Sequence, residues 1–101
     1  MTLITPSKAQ EMLAKNIRAR RLAMGLTQTG LSERSGVALT TLRKFERTGA
    51  ISVKSLCKLM MIVGGLEQLV EASAPTQSEF SSIDEVLASK EAQPRQRGYR
   101  S

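Results

Sequence analysis

Between Gln28 and Arg47 a pattern of apolar and small residues runs Leu31, Ser32, Gly36, Val37, Leu42 and Phe45, with the intervening positions mainly polar. This spacing leaves few ways to fold. Leu31, Val37, Leu42 and Phe45 are placed to fill the wedge between two short helices that cross steeply, at ~90–120°. Ser32 is small enough for the helices to approach closely, and Gly36 supplies the left-handed residue of a tight turn. Thr27 is a suitable N-cap for the first of these helices, which runs to about Arg34. The second spans residues 38–47. Around it Leu42 and Phe45 share one face, while Thr40, Arg43, Lys44 and Arg47 recur at helical spacing on the opposite face. One side is built to be buried and the other is polar and cationic.

The rest of the chain supplies helices for that pair to pack against. Residues 7–24 read as a helix, with Thr5-Pro6 as the entry and Gly25 as the stop. Leu13, Ile17 and Met24 lie on one stripe with Ala9 beside them. Arg21 falls near the edge of the same stripe, where a cation needs a carboxylate partner. Ser52 caps a fourth helix over residues 53–63, with Val53, Leu56, Leu59, Met60 and Val63 expected inward, and Gly64-Gly65 ends it. Leu66, Leu69 and Val70 set the spacing of a short fifth helix over residues 66–72. The expected fold is therefore all-α, a five-helix bundle over residues 7–72 that follows an N-terminal extension at residues 1–6. Residues 73–79 contain Pro75 and small polar residues and read as a linker. Residues 80–101 hold a short amphipathic turn opened by Ser82-Ile83-Asp84-Glu85, with Ile83, Val86 and Leu87 available for docking, and then a basic flexible tail.

Composition agrees with this class and excludes others. Aromatic residues make up 3% of the 101 residues, so the core must come from Leu, Ile, Val and Met, which suits helix-on-helix packing. The chain has no histidine and one cysteine, Cys57, so neither a Cys/His metal site nor a disulfide framework is expected. Without histidine or a nucleophile-base constellation an enzyme is not expected, nor is a cofactor. The longest apolar run, Leu59-Met60-Met61-Ile62-Val63, is far short of the ~20 residues of a membrane span, and the N-terminus lacks a signal-peptide core. A cytoplasmic protein follows. Net charge is +6, and residues 1–50 hold all of it, with nine Lys/Arg against three Glu. The basic half is the one expected to face nucleic acid.

The residues from Arg18 to Arg47 resemble the Cro/phage-repressor (Xre) helix-turn-helix family, and the resemblance extends over roughly residues 8–72. It implies a dimer whose third helix lies in the major groove of double-stranded DNA, at an inverted-repeat operator. It also implies an ion pair between an arginine of the first helix and a glutamate of the third, here Arg21 and Glu46. Gln28 matches the family glutamine that grips a phosphate. Leu39, Thr40 and Lys44 match positions that reach base edges, with Arg43 close enough for bases or backbone. Arg47, Lys54 and Arg18 are further phosphate candidates. Three departures stand out: Ala38 replaces the usual Ser/Thr cap of the recognition helix, Gly30 weakens the second helix by ~1 kcal/mol relative to alanine, and Leu39 replaces a commonly polar reader, which leaves open a role in supporting Leu42 instead of contacting DNA.

A narrower resemblance lies in the whole layout. The helix-turn-helix is followed by Gly64-Gly65-Leu66-Glu67-Gln68-Leu69, by Phe80-Ser81-Ser82-Ile83-Asp84-Glu85-Val86-Leu87, and by a basic ending with Pro94, Arg95, Arg97 and Gly98. This is similar to HipB-type antitoxins, which accompany HipA-family serine/threonine kinase toxins. It implies such a kinase as a partner and an autoregulated toxin-antitoxin operon as the setting. The other readings open to the sequence are a stand-alone Xre-type transcriptional regulator with no toxin partner and a module that acts chiefly by protein-protein inhibition of a kinase.

Overall fold

A computed structural model describes residues 3–76 and Leu87. Among them are five helices and no strand: α1 (Pro6–Ala23), α2 (Gln28–Ser35), α3 (Leu39–Thr48), α4 (Val53–Val63) and α5 (Leu66–Ala72). The chain divides into two units, Met1–Leu69 and Val70–Ser101. In the first, α1 packs on α3 and α4, and α2 packs on the same two helices.

Three of the helices, α1, α2 and α4, begin at a side-chain cap. Thr5 Oγ1 accepts the Lys8 amide at 3.1 Å, Pro6 occupies the first helical position, and Thr27 and Ser52 cap α2 and α4 in the same way. These hydroxyls satisfy N–H groups that have no partner inside the helix. α3 has no such cap. Ala38 precedes it in an extended conformation with no side-chain bond to the first turn, so those amides depend on solvent or a ligand. Ala38→Ser is therefore expected to stabilise the free protein by ~1 kcal/mol, the usual worth of an N-cap. In thermal unfolding this is a rise of roughly 4–8 °C for a domain of this size.

The core of the first unit consists of Ala14, Ile17, Leu31, Val37, Leu42, Phe45, Leu56, Leu59, Met60 and Val63, with Leu13, Leu26, Ile51, Ile62, Leu66 and Leu69 packed against it. All four residues expected in the wedge, Leu31, Val37, Leu42 and Phe45, are buried. The turn itself is tied by hydroxyls: Ser32 Oγ donates to the Val37 carbonyl at 2.6 Å, and Ser35 Oγ accepts the Val37 amide at 3.2 Å. Ser32 thus does more than allow close approach.

Two residues expected inward lie outward. Met24 is 46% exposed, because α1 stops at Ala23 and the chain turns at Gly25, φ +71°, so that Leu26 takes the inward place instead. Val53 is 75% exposed. It is the first residue of α4, and the buried stripe of that helix begins one turn later, at Leu56. On α5, Val70 is also exposed, unlike Leu66 and Leu69.

Arg20 has a structural role with no sequence signal. Its Nη1 donates to the carbonyl of Val63 at 3.3 Å, at the C-terminus of α4. A cation there satisfies a carbonyl left free by the helix end and suits the negative end of its dipole. Gly64 and Gly65, at φ +94° and +99°, make room for it: a Cβ on Gly64 would lie 2.9 Å from Arg20 Nη1.

In the second unit Ser73 Oγ donates to the Val70 carbonyl at 2.8 Å, and the Ala74 amide to the Glu71 carbonyl at 3.1 Å. Leu87 is helical and exposed. The remainder of the expected amphipathic turn and the basic tail lie outside the described residues.

Candidate nucleic-acid interface

The packing of α3 sets the geometry of the site. With Leu42 and Phe45 fully buried, the 100° step of a helix turns Thr40, Arg43, Lys44 and Arg47 the other way. All four are exposed. Leu39, at the first position of α3, is half-buried, so part of its side chain is committed to the protein. Thr48 Oγ1 bonds back to the Lys44 carbonyl at 2.7 Å and accepts the Ala50 amide at 3.2 Å, closing the end of the helix. Lys54, in the first turn of α4, and Arg18, on α1, are both exposed.

Beneath this surface lies a polar cluster centred on Glu46. The Glu46 carboxylate is 5% exposed and Arg21 beside it is buried. Arg21 Nε donates to Oε2 at 2.8 Å and Nη2 to Oε1 at 3.0 Å, while Nη1 donates to the Leu26 carbonyl at 2.8 Å. This is a bidentate, charge-assisted pair with a third bond fixing the guanidinium plane. It ties the end of α1 to α3 and to the strand of chain leading into α2.

Two further groups converge on the same carboxylate. Gln28, the first residue of α2, donates from Nε2 to Glu46 Oε1 at 3.0 Å. Arg18 Nε lies 4.0 Å from that oxygen, with its side chain 59% exposed. Nothing in the spacing of Gln28 and Glu46, eighteen residues apart in different helices, announces their bond. It arises because the turn brings the start of α2 alongside the buried edge of α3. Elsewhere on α1, Lys8 and Lys15 lie 3.5 and 3.6 Å from Glu11 and hold its carboxyl below the ordinary value.

The arrangement is an exposed cationic face on α3, with an amide and a guanidinium at its margin, packed against α1 and α2. Backbone-directed cations, base-directed polar side chains and a helix of suitable size for the major groove are what duplex recognition requires. Among the described residues no group of side chains could hold a metal ion, and no helix is long and apolar enough to cross a membrane.

This fold and surface define a helix-turn-helix domain of the type that binds DNA. Residues 17–64 match the model of the helix-turn-helix family, a segment that runs from the middle of α1 through the end of α4 and takes in α2, the Gly36 turn and α3. The match supports the Cro/phage-repressor type of this domain and a DNA-binding transcription regulator as the function of the chain. No curated protein and no solved structure matches the chain significantly.

Proposed function

We propose that this protein is a sequence-specific transcriptional repressor that binds an inverted-repeat operator as a homodimer, with α3 of each copy in the major groove. The observation that carries the reading is the division of α3: Leu42 and Phe45 are sealed in the core while Thr40, Arg43, Lys44 and Arg47 stand together outside. In this reading Lys44 or Arg43 donates to guanine O6 and N7, and Thr40 and the exposed part of Leu39 meet thymine methyls. Gln28, Arg47, Lys54 and Arg18 hold phosphates and fix the register. The setting is a bacterial cytoplasm, at the operator itself.

The test uses the purified full chain and a duplex that it retains. Thr40→Ala together with Lys44→Ala is expected to weaken binding by ~1–3 kcal/mol per lost base contact and to relax the preference at those bases. Arg47→Ala should weaken binding to all sequences alike and reduce the salt slope by about one. Unchanged affinity and preference in the Thr40/Lys44 variant would refute the assignment of α3.

The finer reading, a HipB-like antitoxin that autoregulates its operon and holds a HipA-like kinase, rests on the sequence layout beyond α4. Most of that layout lies outside the described residues, and its support is the resemblance alone. It predicts that a kinase co-purifies with the full chain and is lost from a chain truncated after Ala74. A full chain that carries no kinase from its own host leaves the stand-alone regulator.

A further inference from the structure

We infer that Glu46 is a positioning residue for the phosphate contacts, holding Gln28 in its donating orientation before DNA arrives. The inference rests on the reading that α3 meets DNA with Gln28 at the backbone. Its basis is the one carboxylate oxygen, Oε1, that Gln28 Nε2 reaches at 3.0 Å and that Arg18 Nε faces from 4.0 Å.

An ionised carboxylate only accepts hydrogen bonds. The Gln28 amide must therefore turn its nitrogen to Glu46, since its oxygen would meet another acceptor; chemistry fixes an orientation that an amide otherwise leaves open. One N–H is committed to Glu46 and the other remains for an acceptor outside. A phosphate oxygen is such an acceptor, and a side chain already locked by its neighbour loses less freedom on binding. Arg18 stands differently. At 4.0 Å and 59% exposed it is drawn toward Glu46 without a hydrogen bond, so its donors stay available for a neighbouring phosphate. Glu46 itself is anchored by two bonds from Arg21 and belongs to α3. The backbone grip on α2 is thereby keyed to the helix that reads the bases.

The test compares Gln28→Ala, Glu46→Gln and the double variant in the full chain, against a duplex retained by the wild-type protein. A glutamine at position 46 keeps one oxygen for Arg21 Nε and sets its amide nitrogen at the Oε1 position, against both Arg21 Nη2 and Gln28 Nε2, so Gln28 must rotate its nitrogen away. Because Arg21 also loses its counter-charge, the folded fraction of each variant is measured first and affinities are compared per folded molecule. Each single variant should bind about tenfold more weakly, roughly one hydrogen bond's worth, and the double variant no more weakly than the worse single. Losses that multiply to about a hundredfold would show independent action and overturn the inference. A second measurement needs no DNA and no substitution at Glu46. In the free wild-type protein, NMR should show one Gln28 Nε2 hydrogen protected from exchange, and only the other should shift when the duplex is added. Two equally exposed hydrogens would overturn the inference. Failure of the underlying reading is distinct: the Thr40/Lys44 variant would then bind as the wild type does, whatever Gln28 does.

Discussion

Glu46→Leu is expected to destabilise the protein by about 3–5 kcal/mol, the effect of stranding a buried charge without its partner. Arg21 is buried, and its Nε and Nη2 would lose both acceptors. Total stability for a domain of this size is itself only about 4–10 kcal/mol, so the variant should be partly or wholly unfolded at 37 °C. The charge and not the lost contacts is responsible, which a second variant separates. Replacing both members, Arg21→Met with Glu46→Leu, removes the stranded cation and should recover most of the loss, leaving about 1 kcal/mol for the Leu26 carbonyl that Arg21 Nη1 now serves. Denaturant unfolding of the two variants checks this: a double variant less stable than Glu46→Leu alone would refute the stranded-charge account.

The second large effect concerns Gly49. This residue ends α3 at φ +83°, is buried, and packs directly on α1: a Cβ there would stand 2.9 Å from both the carbonyl carbon and oxygen of Gln10. Backbone cannot swing aside as a side-chain tip can. Gly49→Ala thus combines left-handed strain of ~1–2 kcal/mol with a forced separation of α1 and α3, and a total of about 3 kcal/mol or more is expected. Gly36→Ala is the control, because Gly36 has nearly the same φ, +78°, and nothing within 4 Å of the added carbon. It should cost the strain alone. In thermal unfolding the first variant should lose more than ~10 °C and the second roughly half of that or less. Equal losses would mean that the close approach to Gln10 has no energetic weight.

The contrast between these glycines shows what can be read along a chain. Gly36 is legible because its role is local: it follows the last residue of α2 and precedes Val37, which belongs in the wedge. The need for a left-handed residue follows from the turn alone. Gly49 sits in a stretch that reads merely as a loop. Its second constraint comes from Gln10, nearly forty residues earlier, and emerges only when α1 has been laid across the end of α3.

The same distinction runs through the site. The two faces of α3 follow from helical periodicity, and Leu42, Phe45, Thr40, Arg43, Lys44 and Arg47 lie where that periodicity puts them. That Arg21 needs a carboxylate follows from its place near a buried stripe; that Glu46 supplies it came from the family resemblance, and the structure shows the pair at 2.8 Å. The Gln28 bond to Glu46 and the Arg20 bond to the Val63 carbonyl had no sequence signal, because both join side chains to positions set by packing of separate helices. Met24 and Val53 went astray for a simpler reason. Periodicity assumes a regular helix, and each of these residues stands at a helix end: Met24 is the C-cap of α1 and Val53 the first residue of α4.

The central claim is that the outward face of α3 reads DNA sequence. It is tested most directly by sequencing the duplexes that the purified full chain retains from a random pool, beside those retained by the Thr40→Ala, Lys44→Ala variant. The wild-type protein should enrich an inverted repeat with half-sites one helical turn apart, about 10 base pairs, and the variant should lose the preference at the bases facing residues 40 and 44. The same motif recovered by both proteins, or no motif from the wild type, would contradict it.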